Sequence, residues 1–144
     1  KVTAQTRGVR NNNPGNIDYN KANDWQGQLG LEIKVGASTP RFARFDTPEN
    51  GIRALGKLLL TYQRKHGLKT VEQIISRWAP SNENNTRAYA DAVARAMQVT
   101  AHANINLGSV TMLRPMVEAI IRHENGYNPY VRGEIDEGVR RALA

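Results

Sequence analysis

The chain contains no cysteine, which excludes a disulfide framework, a thiolate metal site and a cysteine nucleophile. Its three histidines, His66, His102 and His123, are scattered without the spacing of a zinc site. No apolar run approaches the ~18 residues needed to cross a bilayer. The opening Lys1-Val-Thr-Ala-Gln-Thr-Arg-Gly stretch lacks the apolar segment of a signal peptide. A chain that opens on Lys1 and not on Met is expected to be a trimmed product or a piece of a longer polypeptide. Acidic residues are few: 13 Asp and Glu against 20 Lys and Arg leave a net charge of +7. That field favours a polyanionic partner, of which nucleic acid, an anionic lipid surface and the acidic bacterial wall are examples. The basic residues are interspersed and form no tract, helix-turn-helix or aromatic-basic platform, so a nucleic-acid partner ranks last.

What is present is enough for one compact domain of 144 residues with a core of its own. Residues 1–45 read as a loop and a small β lobe, and residues 46–144 as a helical lobe. Arg10-Asn-Asn-Asn-Pro-Gly-Asn-Ile17 is dense in turn formers, which suits either an ordered loop or a linker. Leu29, Leu31, Ile33 and Val35 alternate at period two, and Arg41-Phe-Ala-Arg-Phe45 follows, so the spacing predicts a hairpin or a three-stranded lobe. Thr47-Pro-Glu49 then opens a helix with Ile52, Leu55, Leu59 and Tyr62 on one face. Thr70-Val-Glu-Gln73 caps a second helix that ends at Ala79-Pro80. Ser81 to Thr86 reads as a polar connector, and a third helix runs from about Thr86 to Met97 with Tyr89 and Val93 on its core face. Gln98 to Val110 is irregular. A fourth helix ends at Glu124, and a short last one covers about Ile135 to Ala142. The class is mainly α with a small β-hairpin lobe, α+β.

The fourth helix carries the clearest candidate for chemistry. Val117, Ile120 and Ile121 fall on one face, and Glu124 extends that face by a turn before Gly126 and Pro129 stop the helix. A carboxyl at the rim of a core faces a loop-lined space, and desolvation there favours its protonated form, as a general acid requires. The bland alternative is a solvated Glu in a last turn, where it opposes the helix dipole. His123 points about 100° away on the helix and reads as a surface or capping residue. Glu118 lies on another face and reads as solvent-exposed.

Several segments together resemble a known family. Arg7-Gly-Val-Arg-Asn-Asn-Asn-Pro-Gly-Asn-Ile17, Trp25-Gln-Gly27, Phe42-Ala-Arg-Phe45, Gly51-Ile-Arg-Ala-Leu55, Trp78-Ala-Pro80 and Glu83-Asn-Asn-Thr-Arg-Ala-Tyr89 resemble bacteriophage and prophage virion-associated proteins described as structural proteins with a wall-degrading role. More distantly, Ala119-Ile-Ile-Arg-His-Glu-Asn-Gly-Tyr-Asn-Pro129 resembles the end of the catalytic helix in lytic transglycosylases of lysozyme-like fold, with Asn125 standing where those enzymes carry Ser. The Asn loop, the Phe-x-x-Phe segment and the late Tyr resemble pieces that follow the catalytic helix in wall glucosaminidases. Here they precede it, the order that a circular permutation of the lysozyme-like fold would give. The permutation requires Glu124 to meet both the Asn11–Ile17 loop and Tyr89 in space.

The resemblance implies Glu124 as acid and then base, with Tyr89 placing the sugar's N-acetyl group or the developing oxocarbenium ion. Tyr89 reads equally well as a core aromatic. Asn12, Asn13 and Asn16 are candidates for donating amides to saccharide, or for building the turn alone. Trp25, Tyr127 and Tyr130 are candidates for stacking on sugar faces. A second carboxylate is sought ~5–9.5 Å from the acid. Glu49 and Asp18 are the leading candidates, with Asp24, Glu32 and Asp46 behind them, and none stands in a distinctive motif. That favours the one-carboxylate lytic transglycosylase reaction on the β-1,4 bond between N-acetylmuramic acid and N-acetylglucosamine of peptidoglycan. Hydrolysis of the same bond by a muramidase and a non-enzymatic virion or wall-binding protein are the alternatives. No metal or organic cofactor is implied. The expected partners are peptidoglycan and other virion proteins, and the expected location is the virion or the host cytoplasm, with action at the cell wall.

Overall fold

The computed structural model describes residues 5–144, apart from the side chains of residues 83 and 84. The opening Lys1-Val-Thr-Ala and the Glu83 side chain of the family-like motif therefore lie outside the described residues. The elements are α1 (Arg7–Arg10), β1 (Gln28–Leu31), β2 (Ala43–Phe45), α2 (Pro48–Arg64), α3 (Val71–Trp78), α4 (Glu83–Met97), α5 (Val110–Asn125) and α6 (Arg132–Leu143). The protein is thus mainly helical with a small antiparallel sheet, an α+β arrangement. Among the described residues no helix is long and apolar enough to cross a membrane.

Local chemistry explains the helix starts. Thr47 Oγ1 accepts the Asn50 N–H at 3.2 Å, with Pro48 in the first turn of α2. Thr70 Oγ1 accepts the Gln73 N–H at 3.2 Å, while Gln73 Oε1 reaches past the cap to the Lys69 N–H at 2.7 Å. Helix α4 begins three residues before the expected Thr86, because Asn82 Oδ1 takes the Asn85 N–H at 2.9 Å and so turns the polar connector into a cap. Helix α6 likewise begins at Arg132, before the expected Ile135, since Glu134 Oε1 accepts the Val131 N–H at 3.1 Å. Helix α5 stops at Gly126, whose φ of 81° is the left-handed cap that glycine adopts without strain.

The β lobe corrects the alternation argument. Only residues 28–31 of the alternating stretch form a strand, and Leu29, Leu31, Ile33 and Val35 are all at least 42% exposed. The buried residue among them is Glu32, at 4%. Its carboxylate receives Arg7 through Nε and Nη2 at 2.6–3.1 Å, Asn11 Nδ2 at 3.1 Å and the N–H groups of Arg41 and Phe42 at 2.9 Å each. Burying that charge among donors turns the aliphatic face outward, since alternate residues of a strand point to opposite sides. In place of a third strand, the Asn loop runs beside β2: Asp18 bridges Phe42 just before it, Ala43 N–H donates to Ile17 O and Phe45 N–H to Asn11 O, both at 2.9 Å.

One continuous set of buried apolar side chains runs from Ile17 through Phe45, Ile52, Leu55, Ile74, Val93 and Ile120 to Ala142. Helices α2 and α6 approach closely because glycines face each contact: a Cβ on Gly56 would lie 2.7 Å from Ala142 Cβ, and one on Gly138 would collide with Ile52. Helix α5 packs against α4, which is the contact that sets the candidate site.

Candidate active site at the end of α5

Val117, Ile120 and Ile121 are fully buried, and Glu124 emerges half-buried one turn beyond them. Two neutral groups hold its carboxylate. Tyr89 Oη donates to Oε2 at 3.0 Å, and Asn16 Nδ2 donates to Oε1 at 3.4 Å. The structure thereby brings together three residues separated by up to 108 positions in the chain. Glu124 thus touches both the Asn loop and the helix that carries Tyr89.

Tyr89 sits in the second turn of α4 and is 4% exposed. Its hydroxyl also accepts from Trp78 Nε1 at 3.1 Å, at the last residue of α3. Burial pushes its pKa up, and the charge of Glu124 pushes it further. The phenol therefore stays protonated and acts as a donor toward the carboxylate. Its ring stacks on His123, with centroids 3.5 Å apart and planes at 19°. Trp78 and His123 are thus site residues that helical spacing missed. From helical spacing Trp78 reads as part of the apolar face of the second helix, where it does pack against the core, and His123 as a surface residue; neither reading anticipates its contact with Tyr89.

Glu124 lies on one wall of an open cleft of about 470 Å³. Phe42, Leu58, Tyr62 and Trp78 supply its apolar surface, and Asn16, Asp18, Asn20, Asn23 and Arg41 its polar groups. A concave surface that mixes flat apolar rings with amides suits a saccharide, whose C–H faces stack while its hydroxyl and acetamido groups bond. Phe42 is flanked by the Arg7 and Arg41 guanidinium groups, 4.5 and 5.0 Å from its ring centre.

The other candidates are placed as follows. Asn13 is fully buried, donates to Ile17 O and Ala43 O at 2.9 Å each, and accepts from Ile17 N–H at 3.0 Å. Its amide is wholly used in building the loop. Asn12, at φ 50°, donates to Phe45 O at 3.1 Å, and neither residue lines the cleft. Of the Asn candidates only Asn16 reaches the acid. Tyr127, Trp25 and Tyr130 do not line the cleft, whose aromatic surface comes from Phe42, Tyr62 and Trp78. Asp18 does line it, exposed and paired with Arg41 at 2.6 Å. Glu49 is in the first turn of α2, where its carbonyl faces Gly138 of α6, and lies outside the cleft. Glu32 is committed to Arg7, and Asp46 accepts from Asn50 Nδ2 at 2.9 Å. Asp24 is exposed and outside the cleft.

A larger groove of about 640 Å³ lies between α3 and α4. Its Glu72–His102 pair is exposed, and it contains no Trp, Tyr or Phe. Among the described residues no three His, Cys, Asp or Glu side chains gather as a metal site would need.

Compared with known proteins, the chain is 37% identical over 140 residues to Protein P5 of Pseudoalteromonas phage PM2, a match that covers 96% of this chain and 82% of that protein. No protein-family model matches it.

Proposed function

The chain belongs to the family of Protein P5, a phage protein family, and from that premise we propose that it cuts the β-1,4 bond between N-acetylmuramic acid and N-acetylglucosamine in bacterial peptidoglycan as a lytic transglycosylase. The observation that carries the proposal is the half-buried Glu124 carboxyl, held by Tyr89 and Asn16 on the wall of a cleft lined with rings and amides. Further support comes from the meeting of the Asn loop, the Tyr helix and the Glu helix in the order of a circularly permuted lysozyme-like fold.

In this mechanism the protonated Glu124 gives its proton to the bridging oxygen as the bond to the muramic acid C1 breaks. The resulting carboxylate then takes the proton of the same sugar's C6 hydroxyl, whose oxygen closes on C1. Glu124 ends as it began, no water is consumed, and the product is a 1,6-anhydro sugar. The two bonds to Glu124 fix the direction in which its carboxyl points. Tyr89 and Asn16 thereby favour one rotamer of the acid, and catalysis depends on such positioning. The +7 charge supplies attraction to the anionic wall.

Hydrolysis of the same bond is the second reading, favoured by the presence of Asp18 in the same cleft. Purified peptidoglycan incubated with the protein and with Glu124→Gln separates the readings by the masses of released muropeptides. Anhydro products that vanish in the variant are expected. Products one water heavier would mean hydrolysis. Wall binding without release by either protein would leave a non-enzymatic phage structural protein.

A further inference from the structure

We infer that Asn125 and Thr6 are positioning residues for the acid: Asn125 closes with Pro14, Asn16 and Glu124 a ring of bonds that sets where the Glu124 carboxyl sits, and Thr6 braces Asn125 from outside that ring; this rests on the reading of Glu124 as the acid. Asn125 follows Glu124 but is turned away from the cleft and is 8% exposed. All of its amide is used. Nδ2 donates to Ile121 O, four residues back in α5, and to Pro14 O in the loop, both at 2.9 Å. Oδ1 accepts the Thr6 hydroxyl at 2.7 Å. Two residues beyond Pro14, Asn16 returns to Glu124 through its own amide. The end of α5 is therefore fastened to the loop on one side by Asn125 and on the other by Glu124, so the acid and its Asn16 donor move as one body.

The ring is built from stiff parts. Pro14 has a fixed φ, and Asn16 sits at φ 51°, a conformation few non-glycine residues adopt. Helix α1 presses on it from outside: a Cβ on Gly8 would lie 2.6 Å from Asn125 Oδ1, 2.9 Å from Asn13 O and 3.2 Å from Asn16 Oδ1. Thr6 ties that helix in by also accepting the Val9 N–H at 3.3 Å. The Thr6 hydroxyl thus joins α1 to the amide next to the acid. A small related side chain such as Ser at 125 lacks the second donor needed to span Ile121 and Pro14.

The test uses Thr6→Val, which removes the hydroxyl at constant shape, and Thr6→Ser, which keeps it. On a soluble glycan substrate Thr6→Val is expected to lower kcat about tenfold with KM little changed, because small displacements of a catalytic group cost rate more than binding; Thr6→Ser is expected to restore it. A second readout needs no turnover: the Asn16 side-chain amide resonances shift on Glu124→Gln in the native background, and that response shrinks in Thr6→Val. If Glu124→Gln abolishes turnover while Thr6→Val changes neither kcat nor the amide response, the positioning role is overturned and the acid assignment stands. If the native protein has no turnover, the acid reading falls, and the amide response alone decides whether the ring holds Glu124: a response shrunken in Thr6→Val supports it, and an unchanged one overturns it.

Discussion

Glu32→Gln probes the structure most directly, because a buried charge is removed while shape is kept. Five residues donate to the carboxylate: Arg7, Arg10, Asn11 and the backbone of Arg41 and Phe42. Breaking a fully buried pair costs about 3–5 kcal/mol, and here the Arg7 and Arg10 side chains, 29% and 32% exposed, keep part of their hydration once the carboxylate is gone. Gln retains one carbonyl oxygen for the two backbone donors, so the lower end, about 3 kcal/mol, is expected. That is a large part of a typical ~5–15 kcal/mol of stability and corresponds to a fall in Tm of roughly 6–12 °C. The pH dependence follows from Arg7, whose hydrogen bonds hold the Glu32 carboxyl far below its ordinary range, helped by the Phe42 and Arg41 N–H groups and by Asn11. A depressed folded-state pKa adds stability that is complete above the unfolded value of ~4.3 and is lost as pH falls below it toward the folded one. The stability difference between the native protein and Glu32→Gln should therefore be full at pH 6–8 and narrow steadily below about pH 4. Urea unfolding of both proteins at pH 7 and at pH 3 measures it. A gap under about 1 kcal/mol at pH 7, or one that is equal at both pH values, would refute the reasoning.

Three further perturbations follow from the same geometry. Tyr89→Phe removes the hydroxyl that links Trp78 to Glu124 and is expected to cost about 1–2 kcal/mol in thermal unfolding and to slow muropeptide release roughly tenfold or more. Gly138→Ala drives a methyl into Ile52 and should destabilise by about 1–3 kcal/mol, whereas Gly133→Ala in the same helix, with open space around it, should leave Tm unchanged or slightly raised. Asp18→Asn should leave the anhydro products and their rate nearly unchanged; complete loss of turnover would instead mark Asp18 as a working second carboxylate.

Local chemistry made much of the fold legible. Thr47, Thr70 and Gly126 act within a few residues of themselves, so their caps could be read directly. The same holds for the Glu124 helix, whose apolar period is visible over two turns. The later starts expected for α4 and α6 show the limit: Asn82 and Glu134 are also local caps, but they sit among several polar residues of equal capping ability. The strand alternation misled for a different reason. Leu29, Leu31, Ile33 and Val35 carry the period of a core face, yet burial was decided by Glu32, whose partners Arg7 and Asn11 are more than twenty positions away.

The sequence by itself determined the helical class, the caps at Thr47, Thr70 and Gly126, the placement of one carboxylate at the end of an apolar helix and the basic charge, because each depends on neighbours within a turn or on composition alone. Only the tertiary structure decided that Asn13 builds the loop while Asn16 faces the acid, that Tyr89, Trp78 and His123 converge beside Glu124, and that Asp18 shares the cleft while Glu49 packs near α6. Those outcomes depend on which distant segments are pressed together when the core closes, and a single chain of letters carries no direct record of that contact.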